Sequence, residues 1–195
     1  MALYSTVCAM IAGAALAQSQ GDWTVGVGYA SVDPKSDNGT VAGTSIDVES
    51  DDSFTFTVEY FVQDNIGIEL LAATPFDHDF TLNGVATGST EHLPPTLSVN
   101  YHFDTGSAWK PYVGAGINYT TFSDESLSID GNLELDDSWG FAVQAGLDYQ
   151  VSDSGFLRFN LRWFDIDSDA TLDGTPIGTV EIDPWLYGVA YVYRF

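Results

Sequence analysis

184-PWLYGVAYVYRF-195 alternates without a break to the end of the chain. Trp185, Tyr187, Val189, Tyr191, Tyr193 and Phe195 fall on one face, and Leu186, Gly188, Ala190, Val192 and Arg194 on the other. A period of two is the signature of a β-strand. The distribution of bulk and charge over the two faces carries more information than the period. Every aromatic ring shares one face, while glycine, alanine and the arginine share the other. That suits a wall with lipid outside and a cramped, partly polar lumen inside.

Seven more stretches repeat this pattern. They are Asp22–Val32, Ser53–Val62, Ile66–Phe76, the second half of 91-EHLPPTLSVNYHF-103, Lys110–Phe122, Ser138–Gln150 and Phe156–Ile166. Glu59, Glu69, Asp148, Arg158, Arg162 and Arg194 all share the face that carries the glycines. A soluble barrel would reverse this arrangement, with its apolar face inside and its charges outside. Aromatics on the apolar face gather at the strand ends: Tyr29, Phe54, Phe76, Tyr119, Trp139, Trp163 and Trp185 at one end, Trp23, Tyr60, Tyr101, Tyr149 and Tyr193 at the other. Two such girdles are expected where a barrel meets the two membrane interfaces. Connections after the second, fourth and sixth strands are short, and the others are long and polar. The predicted fold is therefore all-β: an eight-stranded antiparallel transmembrane β-barrel with short periplasmic turns and long acidic extracellular loops.

The first residues differ in kind. 1-MALYSTVCAMIAGAALAQSQ-20 is uncharged and apolar up to Ala15-Leu16-Ala17, a small-x-small cleavage pattern. It reads as a signal peptide over residues 1–17, leaving 18–195 as one barrel domain. The basic stretch that usually opens such a segment is absent, which leaves room for a start further upstream. The only cysteine, Cys8, lies in that segment, so the rest of the chain has no disulfide or thiol chemistry.

Net charge is −23, with five Lys and Arg against 28 Asp and Glu. Phosphate-backbone binding needs a basic patch, so nucleic acid is excluded as a partner. Of the 28 acids, 21 fall in the four long loops. They serve solvation and colloidal repulsion, or they bind divalent cations that bridge to lipopolysaccharide phosphates. The segment 165-DIDSDATLDG-174 resembles a calcium loop but lacks the glycine and the final glutamate an EF-hand requires. His78, His92 and His102 are scattered without metal-ligand spacing and read as solvated or lumenal. No cofactor, metal site, catalytic grouping or enzyme activity is expected.

The lumen-facing residues divide by height. Near the short turns lie Glu59, Glu69, His102, Asp148, Arg158 and Arg194. Buried charges must pair, so these predict a polar plug that closes the periplasmic half. Near the long loops lie Leu71, Ala73, Pro75, Pro94, Phe122, Phe164 and Leu186, with Arg162 as the one charge. They predict a mostly apolar cup or channel open to the outside; equally, they are filler for a narrow barrel. Pro75, Pro94 and Pro95 face each other on neighbouring strand ends. Without their N–H groups the ladder weakens there. This seam marks either where the strands leave the membrane or a lateral opening into the bilayer.

The segments 64-DNIGIELLAATPF-76, 92-HLPPTL-97, 111-PYVGAGINYTTF-122, 137-DSWG-140, 183-DPW-185 and the ending Tyr193-Arg194-Phe195 resemble the OmpW family of outer-membrane proteins, which includes AlkL-type alkane uptake proteins. The resemblance implies an outer-membrane barrel with a hydrophobic channel that passes small hydrophobic solutes, with lateral release. It also implies a bacteriocin-receptor role in some relatives. Phe195 resembles the C-terminal signal read by the barrel assembly machinery. The acidic loops, the scarcity of Lys and Arg, and Arg162 depart from common members. The alternative to uptake is an interaction barrel whose acidic loops bind cations, lipopolysaccharide, or a phage or bacteriocin.

Overall fold

The computed structural model describes residues 18–82 and 86–195. The predicted signal segment, residues 1–17, lies outside the described residues. In chain order the strands are β1 (Trp23–Asp33), β2 (Gly39–Val41), β3 (Thr44–Val48), β4 (Asp51–Gln63), β5 (Ile66–Ala73), β6 (Phe76–Leu82), β7 (Ala86–Leu93), β8 (Thr96–His102), β9 (Trp109–Leu127), β10 (Leu133–Leu135), β11 (Ser138–Gln150), β12 (Gly155–Phe164), β13 (Asp167–Leu172), β14 (Thr175–Glu181) and β15 (Trp185–Arg194). No helix occurs among the described residues.

Eight of these close a barrel. β1 pairs with β4 on one side and with β15 on the other, so Thr24 faces Glu59 across one ladder and Arg194 across the second. The ring continues antiparallel through β5, β8, β9, β11 and β12 back to β15. Closure leaves no strand edge in hydrocarbon, where an unpaired backbone group is costly. The strand boundaries read from alternation agree with these eight to within a few residues, except at the outer ends of β5 and β9.

The outer face is the apolar one. Val27, Phe56, Leu70, Val99, Ile117, Val143, Leu161 and Val189 are all exposed. In water such a surface is an aggregation liability; in lipid it is the solvated state. Aromatic pairs mark both rims. At the short-turn end Trp23 packs on Tyr60 at 4.8 Å and Trp109 on Tyr149 at 4.4 Å. At the opposite end Tyr29 meets Phe54 at 5.4 Å and Tyr119 meets Trp139 at 4.6 Å. Phe195 joins the lower rim, its N–H donating to the carbonyl of Trp23 at 2.9 Å.

The long connections differ from the sequence reading. They are built of strands, not irregular loops. β2, β3, β6, β7, β10, β13 and β14 form a second tier above the outer girdle, in the order β10-β13-β14-β2-β3-β6-β7-β9. The two tiers share β9, whose 19 residues are too many for one membrane crossing. Its lower part pairs with β8 and β11, and its upper part with β7. The sheet curls so that β10 lies back against β9. Two hairpins turn on Ala42-Gly43 and Asp173-Gly174, with positive φ at all four residues. That is the two-residue turn geometry that favours a following Gly.

Phe76 is a second correction. Alternation along Ile66–Phe76 put it in the outer girdle, yet it is fully buried. Thr74 and Pro75, both exposed, interrupt the strand, and β6 restarts with its inward face shifted by one. Leu71 points in, and so do Phe76, His78 and Phe80. A one-residue slip exchanges the two faces of a strand.

Candidate functional site

The lumen is organised in layers. The lowest is a network of buried charges. Arg158 binds Asp148 through Nε at 2.7 Å and through Nη2 at 2.9 Å, a two-pronged contact with one carboxylate. Its Nη1 donates to Glu69 at 2.7 Å. Glu59 lies 3.5 Å from the same guanidinium and accepts from the Asn100 amide at 2.9 Å. His102 Nε2 is also 2.9 Å from Glu59. These side chains come from β4, β5, β8, β11 and β12, so the network spans the barrel. Tyr112 lines it, its ring 4.6 Å beneath the Arg158 guanidinium.

The network takes in Glu59, Glu69, His102, Asp148 and Arg158, as the sequence grouped them. Two residues stand elsewhere. Arg194 lies at the periplasmic rim, where it donates to the Asp153 carbonyl at 3.1 Å and sits 4.0 Å from Asp22. Arg162 was read as an isolated charge in the apolar cup. It instead reaches down to Glu69 at 2.9 Å and becomes part of the network. A long side chain can place its charge a full layer away from its own Cα, and alternation alone cannot report this.

Above the network lies an apolar layer. Leu71, Phe164 and Leu186 are buried in one cluster with Phe76 and Ile166, and Ala73 and Phe122 pack against it. Pro94 is buried and Pro75 exposed. So most of the seven residues expected to line the channel fill the barrel mouth instead.

The open space is higher, inside the second tier. An apolar cavity of about 110 Å³ is bounded by Val41, Ile46, Phe80, Leu127, Val180 and Ile182, among others. The loop segments that carry these residues looked merely polar. Their inward positions alternate apolar groups with acids, and Ala42-Gly43 and Asp173-Gly174 were the available turn signals.

His78 and His92 also border this cavity. Sequence separation set them apart at the two ends of a connection, but β6 and β7 pair antiparallel and bring them together. Their rings stack at 4.7 Å with a 10° angle between planes, and Phe76 stacks beneath His92 at 5.4 Å. Both are buried, not solvated. Burial, with the neighbouring His78, pushes His92 down from 6.5 to about 3. Burial also lowers His78, despite its hydrogen bond to the Glu49 carbonyl and the nearby Asp51 and Asp77. Both rings are neutral near pH 7.

The proline seam interrupts the wall. Leu71 opposite Thr96 is the last pair of β5 and β8. The next pair across the same seam is Phe76 opposite His92, on β6 and β7. Between them Ala72 and Ala73 pair only towards β4, and Leu93 only towards β9. The Pro95 carbonyl accepts from Tyr119 at 3.0 Å, which sets the break at the height of the outer girdle.

A closed eight-stranded ring, an apolar outer face with two aromatic girdles and a charged, side-chain-filled lumen define a small outer-membrane β-barrel. Residues 19–195 match the OmpW family. The chain is 40% identical over 214 residues to "Outer membrane protein W" of Vibrio cholerae, covering 97% of this chain and 99% of that one. The crystal structure of OprG from Pseudomonas aeruginosa superposes with a TM-score of 0.81 at 33% identity, over 92% of this chain and 98% of that one. The solid-state NMR structure of AlkL in DMPC bilayers gives 0.73 at 25% identity, over 99% and 97%. The chain belongs to the OmpW family and is a barrel of the outer membrane, not an enzyme.

Proposed function

We propose that this barrel is a passive uptake channel for small hydrophobic molecules, which enter the apolar cavity from outside and leave sideways into the bilayer. The observation that carries this reading is the unpaired step between Leu71–Thr96 and Phe76–His92. A missing ladder in hydrocarbon is costly unless it borders an opening or the interface. Straight passage is opposed by the charges below, because an apolar solute would have to displace ion pairs that are stable only when matched. Phe76 closes the route between cavity and seam at rest, and its movement is the gating step. Phe195 at the lower rim is read as the assembly signal for the barrel machinery.

The test is uptake of an alkane by cells that carry either the parent barrel or the Pro94→Thr/Pro95→Val variant. Restoring two backbone donors should lower uptake several-fold while the barrel still folds, as judged by its altered gel mobility before heating. Unchanged uptake by a folded variant contradicts lateral release.

The packed layer of Leu71, Phe164 and Leu186 favours a second reading. On it the molecule is an interaction barrel, and the acidic second tier meets cations, lipopolysaccharide, or a phage or bacteriocin. Lys35 already neutralises part of that tier, bonded to Glu181 and, at 2.9 Å, to Asp183. On this reading alkane uptake would not depend on the protein at all.

A further inference from the structure

One side of the second tier lacks a ladder. Among the described residues β10–β13, β13–β14, β14–β2, β2–β3, β3–β6, β6–β7 and β7–β9 are all paired. β9 and β10 come within 8 Å of each other, Cα to Cα, yet no ladder joins them. Upper β9 therefore presents an unladdered edge from Thr121 to Leu127, above its last pair with β11 at Thr120–Ser138. β10 presents another. β9 itself supplies the cause. Asp124 lies at φ 52°, and between Ser123 and Ser126 the strand carries one residue more than β7 does between Glu91 and Ser89. Such a bulge bends a strand and sharpens its twist, which turns upper β9 out of line with β10. Glu125 and Glu134 put charge on the two edges and oppose their pairing with another chain.

The slot between the two edges has definite ends. Below, the Thr120–Ser138 pair closes it. Above, the connection 128–132 is tied on both flanks: the Ser128 N–H donates to the Thr87 carbonyl at 2.8 Å, and the Asp173 N–H to the Asn132 carbonyl at 2.9 Å. Two turn tips further round are joined as well, the Ala42 N–H donating to the Ile177 carbonyl at 2.7 Å.

The lips of the slot are apolar and lead into the cavity. Leu127 on one side, Leu133 and Leu135 on the other, and Ile129 in the connection all border it. The three leucines are half-buried, whereas Ile46, Phe80 and Val180 elsewhere in the wall are buried. Ile129 is 52% exposed. The other large apolar side chains exposed among the described residues lie on the lipid-facing wall of the barrel or at its short-turn end. A single exposed isoleucine would mean little. Continuous with three leucines and an apolar cavity, it makes an unbroken path from water to the enclosed space.

We propose that the β9–β10 slot is the entrance through which hydrophobic solutes reach the cavity, so that they come in through the side of the second tier and not over its turn tips. Ile129 makes the first contact, and Leu127, Leu133 and Leu135 pass the solute inwards. This rests on the uptake reading and adds to it where the solute enters.

The test measures alkane uptake by cells carrying the full barrel with one cysteine pair at a time. Ser126→Cys with Glu134→Cys places a thiol at an exposed position on each side of the slot. Ser126→Cys with Ser89→Cys places a pair across the laddered β7–β9 seam, where the two hydroxyls lie 2.9 Å apart. Each pair is bridged with a short bis-methanethiosulfonate linker and then reduced. Bridging the slot should lower uptake several-fold and reduction should restore it, while bridging β7–β9 should leave uptake unchanged. Undiminished uptake with the slot bridged overturns the side entrance and leaves the uptake reading standing. Equal loss with both bridges overturns it too, since the effect would then come from stiffening the tier. Uptake no faster than in cells without the barrel overturns the entrance together with the reading it rests on. Should a cysteine pair fail to fold, Ile129→Asp places a carboxylate at the exposed first contact, where a charge is tolerated by the fold but not by a passing apolar solute. It should also lower uptake several-fold, and unchanged uptake overturns the entrance.

Discussion

Arg162 stands between the charged and apolar layers of the lumen. Its Cα faces the mouth of the barrel, opposite Leu186 and Gln144, but its guanidinium reaches Glu69. Glu69 in turn serves both arginines, while Arg158 has Asp148 and Glu59 as well. Removing Glu69 therefore strands Arg162 more than Arg158. Breaking a buried pair from one side costs about 3–5 kcal/mol, because the remaining charge stays desolvated. The Glu69→Ala variant should lose stability on that scale in urea unfolding from lipid vesicles. A midpoint shift equivalent to less than about 1 kcal/mol would mean the network is wetter than its burial suggests. Gly146 shows the complementary constraint: a Cβ there would meet the Tyr112 ring at 2.3 Å. The glycine-rich lumen face recognised in the sequence leaves room for such rings.

The β6–β7 hairpin is the element that alternation describes least well. The eight barrel strands were legible because lipid outside and charge inside impose the same two-face pattern on each. The second tier was not, because it stands in water: its outer face is acidic, and the alternating apolar residues are diluted by turns. Pro75 also breaks the phase, so that Phe76 and the histidines point inward instead of out. The network members were legible from the cost of buried charge, and the pairing of His78 with His92 was not, since it depends on hairpin register. That pairing carries a pH prediction. The folded hairpin holds His92 neutral down to about 3, whereas an opened one takes up a proton below about 6.5. The hairpin therefore keeps its full stability above pH 6.5 and loses it as pH falls towards 3, by about 1.4 kcal/mol per unit. Asp51 and Asp77, which favour the charged form of His78, soften the effect. At pH 5 the open population of β6–β7 should be roughly twenty-fivefold that at pH 7. Hydrogen exchange corrected for intrinsic rates should show this, with the β1–β15 ladder as reference. Equal protection ratios at both pH values would contradict it.

At the scale of the whole molecule, two stacked tiers divide the work. The lower one is a charge-filled barrel that anchors the chain in the outer membrane; the upper one is an apolar enclosure standing in water. Between them, at the height of the outer girdle, the wall is unpaired between Leu71–Thr96 and Phe76–His92. The central claim is that solute crosses this seam. Residues 18–195 contain no cysteine, so Thr74→Cys and Pro95→Cys would be the only thiols in the barrel, one on each side of the break. Both positions are accessible to reagent. Bridging them with a short bis-methanethiosulfonate linker and then reducing the bridge closes and reopens the seam in one protein. Alkane uptake should fall to the level of cells lacking the barrel when the bridge is in place and recover on reduction. Uptake at the same rate with the seam bridged would contradict the account.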